Sequence, residues 1–214
     1  MYEAIIFDLD GTLLDTLEDL EAAVNAALSF CGLPLRSREE VRLFVGNGIA
    51  KLMERAVGER MDCFEKAFAE FKRYYALHCK EQTKPYHGIL ELLHILKEKG
   101  VKTAVLSNKA DFAVKLLAEE YFDGLLMEAV GENEAQGIRK KPAPDALYAV
   151  MENLQTKNAV YVGDSEVDVQ TAKNAGVDCI CVTWGFRDKA CLQACGGRMF
   201  VNEPMEILDY CKTN

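Results

Sequence analysis

The chain has 214 residues, 50% of them hydrophobic and 28% charged, which is enough for one large domain or a core with an insertion and excludes a disordered chain. A formal net charge of −9 excludes the broad basic surface that grips nucleic acid, and no apolar run is long enough to span a bilayer. The chain enters a strand-forming run almost at once, with no basic region or cleavage site, so it reads as cytoplasmic and free of the membrane. The eight cysteines then read as reduced, small hydrophobes. Cys179, Cys181, Cys191 and Cys195 lack the CxxC pairing usual in a thiolate metal site.

The first element is Ala4-Ile5-Ile6-Phe7, too short for a helix and stopped by Asp8-Leu9-Asp10-Gly11-Thr12. Such a run predicts a buried parallel strand whose C-terminal end delivers Asp8 and Asp10 to the crevice where open α/β sheets bind ligands. A helix follows over about 17–30, with Leu17, Leu20, Val24, Ala27 and Leu28 at helical spacing and Cys31-Gly32-Leu33-Pro34 to end it. Ser37 and Glu40 form a capping-box pair for the next helix, which breaks at Gly46-Asn47-Gly48 and resumes toward Val57. Between Met61 and Cys79, the residues Phe64, Phe68, Phe71, Tyr75 and His78 share one stripe, so 17–80 is helical by pattern.

From Pro85 onward, helices alternate with short β-branched runs. Ile89, Leu92, Leu93 and Leu96 mark a helix closed by Gly100, and Val101–Leu106 is the next strand. Helices are expected over 111–120, 144–153, 167–175 and 203–211, and strands near 125–130, 159–162 and 179–182. This alternation calls for a parallel sheet covered on both faces.

A crossover between parallel strands needs about a dozen residues, whereas several helices separate the first strand from the second. The fold class expected is therefore α/β: a Rossmann-like parallel sheet core, residues 1–15 and 85–214, with an inserted α-helical cap over 16–84. Asp15-Thr16 and Gln82-Thr83-Lys84-Pro85 would form its hinge. A lid above the strand end that carries Asp8 would exclude water and select substrate.

Two carboxylates two residues apart at a strand end point into the same crevice if the extended geometry continues. They suit a hard cation, with one carboxylate free to attack and the other free to move protons. Here the chain resembles the haloacid dehalogenase-like hydrolases, in four motifs in the right order. Asp8-Leu9-Asp10-Gly11-Thr12-Leu13 is similar to the first and Leu106-Ser107-Asn108-Lys109 to the second. Lys140-Lys141-Pro142-Ala143-Pro144 is similar to the third and Val162-Gly163-Asp164-Ser165-Glu166-Val167-Asp168 to the fourth.

The resemblance implies that Asp8 attacks phosphorus to give an aspartyl-phosphate, and that Asp10 protonates the leaving alkoxide and later deprotonates water. It implies Mg²⁺ at Asp8, the Asp10 backbone carbonyl and Asp164, with Asp168 as a ligand or as the residue that orients Lys141 or a metal-bound water. Ser107 and Lys141 would bind phosphoryl oxygens, with Thr12 and Asn108 beside them. The partner expected is a small phosphoester, and the chain is expected to be a monomer or homodimer.

Within that family, a carboxylate at Asp10 favours phosphate esters over carbon–halogen bonds and over phosphonates. Sugar phosphomutases of this layout carry His where the chain has Leu20. The segment Val45-Gly46-Asn47-Gly48-Ile49-Ala50-Lys51 and the entry Pro85-Tyr86-His87-Gly88 are similar to bacterial phosphoglycolate phosphatases, which makes 2-phosphoglycolate the leading substrate. Gly46, Asn47, Gly48 and Lys51 would meet an anion at a helix start; alternatively the glycines only satisfy a corner's dihedrals. Trp184 reads as a packing residue and Arg187 as solvated. The rival readings are a phosphomutase, a nucleotide or pyrophosphate hydrolase, and a binding module that only retains the fold.

Overall fold

A computed structural model describes residues 1–132, 137 and 139–211; residues 133–136, 138 and 212–214 of the expected second core segment lie outside the described residues. The short run Ala4–Phe7 forms strand β1, and its four residues are wholly buried. Their alternation sends Ile5 and Phe7 to one face of a sheet and Ala4 and Ile6 to the other. Ile5 and Phe7 pack with Leu92 and Leu96 of helix α5 (Ile89–Glu98) and Val114 and Leu117 of α6 (Asp111–Phe122). Ala4 and Ile6 pack with Leu147 and Val150 of α7 (Asp145–Asn153) and Ala172 of α8 (Glu166–Ala175). The first strand is therefore apolar on both sides because both faces are covered.

The sheet has the order β5-β4-β1-β6-β7-β8, with every pairing parallel. Its other members are β4 (Lys102–Ala110), β5 (Glu128–Glu132), β6 (Ala159–Gly163), β7 (Asp178–Val182) and β8 (Met199–Val201). From β1 the chain builds toward β4 and β5, then returns to the other side for β6, β7 and β8. The reversal places a crevice at the C-terminal end of β1.

The helices α1 (Leu17–Phe30), α2 (Arg38–Phe44), α3 (Ile49–Val57) and α4 (Phe64–His78) hold a separate apolar cluster that includes Leu20, Val24, Val41, Met53 and Phe71. Phe186, from the loop after β7, joins that cluster. Ser37 and Glu40 make the reciprocal capping box at α2. The two linkers lie side by side as a ribbon of β2 (Leu14–Asp15) and β3 (Lys84–Pro85), paired antiparallel. The Asp19 carboxylate accepts from the backbone of Gln82 and Thr83 and from the Thr83 hydroxyl, which ties the start of α1 to the returning linker.

Three elements depart from the sequence expectation. Strand β4 runs past Leu106 to Ala110, with its pairing to β5 shifted between those residues. The three-residue β8 extends the sheet beyond β7, too short to carry a periodic signal. The last element, Pro204–Tyr210, is a 3-10 helix rather than an α-helix. No described helix is long and apolar enough to cross a membrane.

Candidate active site

Register brings the motifs together. Phe7 pairs with Val105 of β4 and Val162 of β6, so Asp8, Ser107 and Asp164 stand together toward the C-terminal ends of three adjacent strands. There they line a cavity with Asp10 and Asn108, roofed by Leu20, Val45, Gly46, Gly48, Ile49 and Leu52 of the helical unit. Phe186 and Arg187 close one side.

Asp8, Asp164 and Asp168 are buried, and each offers an oxygen within 4.8 Å of the others. They are the one group of three or more metal-ligating side chains among the described residues. Burial pushes Asp8 up to about 7, with Lys141 opposing and the charges of Asp168 and Asp10 adding. Burial likewise drives Asp164 well above the usual carboxylate range, reinforced by Asp168 and Asp8 and opposed by donors from the Phe186 backbone and Thr12. One lysine lies among these three acids: the Lys141 ammonium sits 3.0 Å from Asp8 Oδ1 and 2.7 Å from Asp168 Oδ1, and donates to the Tyr161 hydroxyl at 2.9 Å. Burial lowers the Lys141 pKa, but Asp168 and Asp8 outweigh it and hold the amine charged.

Three carboxyl groups share one ammonium in this buried pocket, and the upward shifts of Asp8 and Asp164 mark a site short of positive charge. An all-oxygen donor set with that deficit fits a hard divalent cation. Asp168 accepts from Lys141 at Oδ1 and from the Ser165 amide and hydroxyl at Oδ2. The hydroxyl of Thr12, expected beside the phosphoryl oxygens, is fully buried and donates to Asp164 Oδ1. Gly11 explains the glycine of the first motif: at φ +82° it allows a close approach, and a Cβ there would lie 2.4 Å from Asp164 Oδ2.

The bulged end of β4 carries Ser107, Asn108 and Lys109, all buried. Ser107 lines the cavity, and Asn108 is committed to scaffolding. Its oxygen accepts from the Lys141 amide and its nitrogen donates to the carbonyls of Lys141 and Gly46. Lys109 was missed as a site residue. Its ammonium lies 2.9 Å from Asp10 Oδ1, so the Asp10 side chain turns to Lys109 and stands outside the carboxylate triad. Tyr161 was missed as well, although a hydroxyl inside the apolar run Ala-Val-Tyr-Val-Gly is a readable signal; it accepts from Lys141 and donates to the Leu106 carbonyl.

The expected cap contacts divide. Gly46 and Gly48 line the cavity with positive φ, so glycine is required there for the corner itself. Asn47 accepts from Arg55, and Lys51 is half-exposed and paired with Glu54; neither lines the cavity. Arg187 is buried, contrary to the solvated reading. It donates to the carbonyls of Arg42, Leu43 and Val45 at the end of α2 and to Glu166, because the C-terminal carbonyls of a helix need donors from elsewhere. Trp184 is partly buried and donates to the Thr12 carbonyl, in keeping with its packing role.

The chain as a whole is similar to known proteins. The chain is 34% identical to the phosphoglycolate phosphatase of Pseudomonas savastanoi pv. phaseolicola over 97% of its own length and 79% of that relative. It is 35% identical to the phosphoglycolate phosphatase of Neisseria meningitidis over 89% and 84%. The solved structure of a candidate phosphoglycolate phosphatase from Lactobacillus delbrueckii subsp. bulgaricus superposes with TM-score 0.90 at 37% identity, covering 98% of each chain. The sequence model described as haloacid dehalogenase-like hydrolase matches residues 5–182, and by that match and these relatives the chain belongs to the haloacid dehalogenase-like hydrolase family.

Proposed function

We propose that this hydrolase is a Mg²⁺-dependent phosphatase that cleaves a small phosphomonoester through an aspartyl-phosphate on Asp8, with 2-phosphoglycolate as the leading substrate. The observation that carries the reading is the charge arrangement around Asp8: a buried carboxylate with one lysine and two further acids, opening on a cavity beside Ser107. The relatives named phosphoglycolate phosphatase support the choice of substrate.

Asp8, Asp164 and the Asp10 carbonyl would hold the metal, which when bound supplies the positive charge that lets a carboxylate approach a phosphate dianion. Both the Leu9 amide and the Lys141 ammonium reach Asp8 at Oδ1, which leaves Oδ2 for attack on phosphorus. Ser107 and Lys141 hold phosphoryl oxygens, and Asp168 keeps Lys141 in place. Asp10 gives its proton to the departing alkoxide and regains one from water in the second step. Residues 16–84 act as a cap whose apolar inner face, Leu20, Val45, Ile49 and Leu52, excludes water and limits the size of the ester. Leu20, at the place of the mutase histidine, leaves hydrolysis as the outcome.

Phosphate release from a panel of small phosphoesters, hexose 1-phosphates and nucleotides, with Mg²⁺ and with a chelator, tests the proposal. Metal-dependent release with 2-phosphoglycolate ranked first is expected; no release from any ester, or isomerisation without release, refutes it.

A further inference from the structure

Lys109 has no part in that scheme, yet it is placed as carefully as Lys141. Its side chain is 2% exposed, and the ammonium stands 2.9 and 3.1 Å from the two oxygens of Asp10 and 2.6 Å from the Tyr75 hydroxyl. The same ammonium lies 4.8 Å from the centre of the Tyr75 ring. Three segments distant in the chain therefore meet on one cation: the loop after β1, the bulge of β4, and α4 of the helical unit. An ammonium has three donors, and here two go to the carboxylate and one to the phenol.

A carboxylate's terminal torsion is soft, so an unrestrained Asp10 would sweep its oxygens through a wide arc. Gripping both oxygens fixes the plane of the ionised group; once Asp10 is protonated, one oxygen carries the proton toward the reacting oxygen and the other still accepts from Lys109, so the plane is kept. A proton donor needs that fixed aim, because transfer requires hydrogen-bond reach to the reacting oxygen.

Taking the phosphatase reading as its basis, we infer that Lys109 is a positioning residue that aims Asp10 at the leaving-group oxygen, and that Tyr75 of α4 fixes Lys109 in turn. In the first step a bond forms between Asp8 and phosphorus while the ester oxygen departs with its electron pair and takes the proton of Asp10. In the second, water loses a proton to Asp10 as its oxygen displaces the Asp8 carboxylate from phosphorus, which restores both groups. Because Tyr75 belongs to the helical unit, the aim of Asp10 is complete only while α4 stands over the sheet edge.

The test compares two small esters of similar shape and without an anionic tail: ethyl phosphate, whose alkoxide must be protonated to leave, and acetyl phosphate, whose acetate need not be. The value of kcat/KM reports only the steps up to leaving-group departure. Lys109→Met is expected to lower it for ethyl phosphate by about 100-fold, the lower range of what general acid catalysis contributes, and to lower it for acetyl phosphate by no more than about threefold. Tyr75→Phe, which removes only a hydroxyl, is expected to shift the ratio in the same direction by a smaller factor, and Lys109→Arg to recover part of the loss. Equal losses on the two esters in both variants overturn the inference, as does an unchanged ratio in Tyr75→Phe if Lys109→Met fails to fold. A loss confined to 2-phosphoglycolate overturns it in favour of Lys109 as a ligand of the substrate carboxylate. If the wild type hydrolyses no ester at all, the phosphatase reading fails first and the inference falls with it; activity in the wild type separates the two.

Discussion

Replacing Lys141 by methionine keeps the volume of the side chain and removes its charge. In the native protein that charge lies between Asp8 and Asp168 at 3.0 and 2.7 Å, in a setting where all three groups are buried. Removing one partner of a buried ion pair costs about 3–5 kcal/mol, because the remaining charge is left unpaired. For a chain of this size each kcal/mol lowers the melting temperature by about 2–4 °C, so without divalent metal the variant should melt about 6–20 °C below the wild type. A cation bound at about 100 times its dissociation constant restores about 2.7 kcal/mol, so Mg²⁺ should recover a substantial part of the loss. Circular dichroism melts of both proteins, in chelator and in excess Mg²⁺, give the comparison. A variant within about 2 °C of the wild type in chelator would mean that the acidic cluster does not depend on the Lys141 charge for its stability.

The metal-free wild type should also show a pH signature. Asp8 holds its proton more tightly folded, at about 7, than unfolded, near 3.8, so stability falls as pH rises through that window and then levels; Mg²⁺ should flatten the slope, which urea unfolding across pH would reveal. Gly11→Ala forces a left-handed alanine, costing about 1–2 kcal/mol, and places a methyl against Asp164, so weaker Mg²⁺ affinity is expected by calorimetry. Arg187→Met strips three carbonyls at the end of α2 of their donor, and faster hydrogen exchange over 42–48 is expected; unchanged exchange would show that the contact holds nothing. Lys51→Ala should leave the order of preferred substrates unchanged, since its amine is engaged by Glu54 outside the cavity.

What the sequence made legible was whatever followed a period or a motif. The first strand, the helix over 17–30 and the capping box at Ser37 are local patterns, and each forms as read. The motif residues could be ordered along the chain, and a parallel register then gathers them at one edge. Lys109 was hidden because its role depends on a bulge: the β-branched residues end at Val105, while the strand runs on to Ala110 with a shifted register that no propensity encodes. Arg187 was misread for a related reason. An arginine next to Asp188-Lys189 looks like a solvated charge until the end of α2, 142 residues away in sequence at its nearest carbonyl, is brought against it. Lys51 is the reverse case, where helical spacing suggested a ligand and a neighbouring glutamate three residues on took the amine. Periodicity reports which face of an element is buried; it carries no record of which distant group meets a charge there.

The central claim is that Asp8 becomes phosphorylated. The most direct measurement is rapid acid quench of the enzyme during turnover of 2-phosphoglycolate with Mg²⁺, followed by peptide mapping. A hydroxylamine-labile phosphoryl group on the peptide that contains Asp8, absent in Asp8→Asn along with turnover, is the predicted result. Phosphate release without any phosphopeptide, or undiminished turnover in Asp8→Asn, would contradict it.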